Sequence, residues 1–82
     1  MRAKEILRAV PGHAYRPQWV NLICRAAHGR KILRSEDYRE CGLILDALQD
    51  FGFIEEYGID LTERHSVFGY RRTAKGDEEL AK

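Results

Sequence analysis

Apolar residues recur along this chain with two different periods, and the change at Gly52 separates a helical part from a strand-rich part. Ala3, Ile6, Leu7 and Val10 follow the i, i+3, i+4, i+7 spacing of one helix face, and Pro11-Gly12 stops it. Pro17 suits the first position of a second helix, where its missing N–H has no helical partner to lose. That helix is expected to run to about His28, with Gly29 as its C-terminal cap. Its apolar positions Trp19, Val20, Leu22, Ile23, Cys24, Ala26 and Ala27 cover most of the circumference, which predicts the most buried helix, with Trp19 in the core. Arg30 to Arg34 form a basic connector around Ile32-Leu33, with room for a short strand. Ser35 then has the chemistry of an N-cap, and Glu36 and Asp37 suit the positive end of the helix that follows. This third helix is expected from about Glu36 to Phe51, with a buried stripe of Tyr38, Cys41, Ile44, Leu45, Leu48 and Phe51.

Beyond Gly52 the segments 53–57 and 66–72 are short and rich in β-branched and aromatic residues, so they predict two strands joined by a polar loop, 58–65. Thr73 can cap a last short helix that carries Asp77, Glu78 and Glu79 early and packs Leu80 back. The fold class expected is α+β, mostly α: three helices, a two-stranded β-hairpin and a short C-terminal helix, with residues 1–82 forming a single domain.

Composition narrows the function. Hydrophobic residues make up 44% and charged residues 33% of the 82, a balance that supports a core under a solvated surface and argues against disorder. Fourteen Lys and Arg against thirteen Asp and Glu give a formal charge of +1, so any basic face must come from segregation of charge. Cys24 and Cys41 fall inside helical apolar patterns and read as small buried hydrophobes, not as a disulfide scaffold. With no long apolar run and no secretory leader pattern, the setting expected is cytoplasmic. Cys24 and His28 have an i, i+4 spacing, but no second ligand pair follows, so no metal and no cofactor are expected. His13, His28 and His65 are scattered, no Cys or Ser shares a local motif with them, and glycine-rich phosphate loops are missing; no enzyme is expected.

The run Leu43 to Tyr57 resembles the end of the third helix and the first wing strand of the MarR and PadR groups of regulators. Tyr70 to Leu80 is similar to their second wing strand and the segment after it, with Arg72 where those families usually carry leucine. The resemblance implies a winged helix-turn-helix fold and a DNA-binding transcriptional regulator, compatible with a homodimer, with the third helix in the major groove of double-stranded DNA and the wing beside it.

The surface charges leave two readings open. Arg30, Lys31 and Arg34 before the third helix, Arg39 on it, and Arg64, His65, Arg71, Arg72 and Lys75 in and after the wing are the candidate phosphate-contacting residues. The third helix opposite its buried stripe carries Glu36, Arg39, Glu40, Leu43, Asp46 and Asp50, four carboxylates against one guanidinium, a formal −3 that opposes a phosphate backbone. Glu36, Glu40, Leu43, Asp46 and Asp50 are therefore also the candidate contact set of a protein-interaction module, an apolar anchor ringed by charge.

Overall fold

The computed structural model describes residues 3–62 and 65–82, the side chains of 59–68 excepted. The element order is α1 (Ala3–Ala9), α2 (Val20–His28), α3 (Ser35–Asp50), β1 (Ile54–Thr62), β2 (His65–Arg72) and α4 (Ala74–Ala81). The chain is thus α+β and mostly helical, four helices and one antiparallel hairpin, in the order expected. The periodic stripes of α1, α2 and α3 meet in one cluster of Ile6, Leu7, Val10, Ile23, Cys24, Cys41, Leu45 and Leu48, closed by Ile54 at the start of β1.

Local chemistry sets most boundaries. Gly29 has φ 68°, a left-handed conformation open to glycine, and its N–H returns to the Ala26 carbonyl to end α2. The cap of α3 falls on Arg34, one residue before the expected Ser35; the Arg34 backbone N–H donates to the Asp37 carboxylate at 3.2 Å. Thr73 caps α4 as expected, accepting from the Gly76 N–H at 3.1 Å while its hydroxyl donates to the Gly52 carbonyl at 2.6 Å.

The second helix departs from expectation. Pro17 lies outside it, because Gln18 remains extended and pairs with the second strand: its N–H donates to the Tyr70 carbonyl at 3.1 Å, and the Tyr70 N–H donates to its carbonyl at 2.9 Å. Helix α2 therefore begins only at Val20, with Trp19 as its extended N-cap residue. Off the helical ladder, Trp19 does not share the buried stripe, and it stands 58% exposed instead of entering the core. Leu22 is also exposed, so α2 buries one face only, through Ile23 and Cys24. The backbone approach at Gln18 requires a glycine across from it: a Cβ at Gly69 would stand 2.6 Å from the Gln18 carbonyl oxygen.

Phe51, expected at the end of the α3 stripe, is the C-cap residue and is 65% exposed, because the helix closes before its side chain can turn to the core. The connector 30–34 holds bends and no strand. The hairpin is longer than its apolar segments, since cross-strand pairing continues through the polar residues after Tyr57, with Ile59 opposite Val67 and Thr62 opposite His65.

Both cysteines are buried as expected, but they are not free: Cys24 and Cys41 form a disulfide that ties α2 to α3 across a Cα–Cα distance of 6.0 Å. Each lies on its helix's buried stripe, and the two stripes face each other. With the thiols paired, the argument from cysteine usage to a reducing compartment falls away. Among the described residues, no helix is long and apolar enough to cross a membrane.

Candidate interaction surface

The candidate basic residues divide into two kinds. Arg71 lies opposite Glu55 in the hairpin, pairs with its carboxylate at 2.5 Å, and stacks its guanidinium 4.3 Å from the centre of the Tyr57 ring. Arg72 turns inward: its Nη1 donates to the carbonyls of Leu7 (3.2 Å), Arg8 (3.1 Å) and Val10 (2.7 Å), and its Nε donates to Asp77 at 2.7 Å. A cation there suits the negative end of α1, where it adds to the Val10 N–H on the Leu7 carbonyl and reaches the Arg8 and Val10 carbonyls. The hydrogen bond from Arg72 is the chief cause that holds the Asp77 carboxyl below the usual carboxylate range. Lys75 donates to the Phe51 carbonyl at 2.7 Å, at the C-terminal end of α3, and lies over the Phe53 ring.

Arg71, Arg72 and Lys75 are therefore engaged within the fold. Arg30, Lys31 and Arg34 stand exposed on the connector between α2 and α3, and Arg39 is exposed on α3 itself. Arg64 and the His65 side chain lie outside the described residues.

The acidic candidates come together as one outward face. Glu36, Glu40, Leu43, Asp46 and Asp50 all lie on the exposed side of α3, opposite Cys41, Leu45 and Leu48, and Leu43 is 65% exposed. The face continues past the helix. Trp19, Val20 and Asn21 at the start of α2, with Glu56, Gly69 and Tyr70 of the hairpin, line an open pocket of about 300 Å³. Glu56 and Tyr70 are opposite partners in the register, so both project to the same side of the hairpin. Burial pushes the Tyr70 phenol up from its ordinary value, and the negative charges of Glu56 and Asp46 push it further, which connects the pocket electrostatically to the α3 face.

Sequence reasoning did not nominate Trp19, Glu56 or Tyr70. Trp19 was assigned to the core because Pro17 looked like a helix start; the signal against that reading is Gln18, whose pairing with Tyr70 depends on a residue far along the chain. Among the described residues no group of three His, Cys, Asp or Glu is placed to hold a metal ion. No protein-family model, curated protein or solved structure matches this chain.

Proposed function

We propose that the chain is a small, non-catalytic winged-helix module that binds a protein partner through the acidic outward face of α3. The observation that carries this reading is the distribution of charge. The outward face of α3 carries Glu36, Glu40, Asp46 and Asp50 around exposed Leu43, while Arg71, Arg72 and Lys75, the described cations of the hairpin base and α4, are engaged by the fold's own carboxylates and carbonyls. An exposed leucine ringed by carboxylates suits a partner that brings an apolar pocket and a basic rim. Carboxylates on the helix that would enter the groove repel phosphates.

The second reading, a DNA-binding transcriptional regulator, draws on exposed Arg30, Lys31 and Arg34 at the turn between α2 and α3, which is where a helix-turn-helix module meets the phosphate backbone. A titration on random duplex DNA at low and at moderate salt separates the two. The interaction module shows no saturable binding even at low salt, and replacing Glu40 and Asp46 by their amides raises nonspecific association by relieving repulsion. A regulator binds at low salt with a slope of about −0.9 per phosphate contact, which Arg30→Ala with Lys31→Ala flattens by about two units. That second result overturns the protein-partner reading.

A further inference from the structure

The two faces of the hairpin use the same elements differently. On one face Glu55, Tyr57 and Arg71 form a complete set, in which a carboxylate and an aromatic ring hold a guanidinium between them. On the opposite face Glu56 lies across from Tyr70, and Trp19 approaches from the start of α2; here are the carboxylate and the aromatic rings, yet among the described residues that line the pocket there is no cation. We infer that this pocket receives a cationic side chain, arginine before lysine, from the protein segment that docks on α3. The inference rests on the protein-partner reading of α3 and names the chemistry of that partner as a basic peptide.

Size, polarity and position agree. At roughly 30 Å³ per water, the pocket's space equals about ten waters, enough for the seven heavy atoms of an arginine side chain and some residual solvent. A planar guanidinium stacks on an indole or phenol face and still presents its edge to a carboxylate, which an ammonium does less well. Trp19 supplies an open ring face, and Glu56 supplies the carboxylate at an exposed position. Asp46, on the outward face of α3, acts with Glu56 on the Tyr70 phenol, so the pocket and the α3 face both present negative charge. The close approach of Gln18 to Gly69 fixes the floor, because it holds the residue before Trp19 against the second strand.

Trp19 is the chain's one tryptophan, so its emission reports on this pocket alone. The test titrates the intact protein with a short alternating Gly-Arg peptide amide and with the same peptide carrying citrulline, which keeps the shape and removes the charge. Trp19 emission and the backbone amide shifts of α3 are followed together. The expected result is a saturable change in Trp19 emission with the arginine peptide, at least fivefold weaker binding of the citrulline peptide, and at least threefold weaker binding of the arginine peptide to Glu56→Gln. The Glu56→Gln variant, altered only at an exposed side chain, keeps the melting curve of the parent. Shifts confined to α3 with a silent Trp19, or equal binding of both peptides at the pocket, overturn the cation pocket and leave the protein-partner reading of α3 in place. Shifts on neither surface overturn the basic-peptide partner altogether, and the DNA titration then decides the protein-partner reading separately.

Discussion

The junction around Arg72 and the outward face of α3 each concentrate charge, and they differ in where it lies: one between elements of the fold, the other along the exposed side of a helix. At the junction, one guanidinium reaches three carbonyls at the end of α1 and one carboxylate of α4, so the charge holds sequence-distant elements together. On α3, four carboxylates surround an exposed leucine on the side away from the core. The lesson is that a list of basic residues is a poor map of a binding surface. Cations in a small domain are recruited first to carbonyls and carboxylates that folding would otherwise leave without partners.

Four measurements break or sharpen this contrast. The largest effect belongs to the covalent tie behind the α3 face. Cys24 and Cys41 are 17 residues apart, and closing a loop of that size stabilises by about 3 kcal/mol in the chain-entropy account. Dithiothreitol, or a double Cys→Ala variant, is therefore expected to lower the urea midpoint, and an unchanged midpoint removes the cross-link from the account. Next is Arg72→Met, which keeps the aliphatic stem and removes the donors. Hydrogen bonds to charged groups contribute about 1.5–3 kcal/mol, and a loss of that order in chemical denaturation is expected. A neutral result would place Arg72 among the solvated cations and restore it as a ligand-contacting candidate.

Asp77 gives a smaller, pH-dependent effect. Its carboxyl is held below the ordinary range in the folded state, chiefly by the hydrogen bond from Arg72, so the stabilisation is present above the ordinary carboxylate pKa and is lost as pH falls through the depressed value. Parent and Asp77→Asn melting curves should differ near neutral pH, begin to approach each other below about pH 4 and converge only below the depressed value. A gap that persists in acid breaks the link to ionisation. The smallest effect is the one that sharpens the comparison most: Leu43→Ala should change stability by no more than about 0.5 kcal/mol, as surface substitutions do, while weakening a partner complex about tenfold. A large drop in melting temperature would show that Leu43 serves the fold.

What was legible in the sequence followed from short-range periodicity. Ile6 and Leu7 on α1, Val10 just past its end, and Cys41, Leu45 and Leu48 on α3 are core residues because helical spacing puts them on one face, and the core is where they lie. The change of period at Gly52 located the hairpin, and Thr73 located α4, because capping is chemistry within one turn. The misreadings involve partners far apart along the chain. Trp19 was misplaced by a helix start that the Gln18–Tyr70 pairing displaces. The inward turn of Arg72, a candidate phosphate contact, was equally out of sight, since its carbonyl partners lie 62 to 65 residues earlier. Cys24 and Cys41 were each read correctly as buried, and their union depends on how two helices face one another. On the site, the outward face of α3 was visible from its spacing, whereas the pocket of Trp19, Glu56 and Tyr70 exists only after the chain before α2 folds onto the second strand.

The reach of Arg72 also bears on how the chain acquires its shape during synthesis. At seven residues, α1 is too short to persist alone in water. The carbonyls at its end wait for a guanidinium made more than sixty residues later, and that guanidinium in turn leans on Asp77. A chain halted before Arg72 therefore lacks the group that fastens α1, and one halted before Asp77 lacks that group's carboxylate partner. Ordering of α1 therefore depends on contacts far along the chain, which join it to β2 and α4.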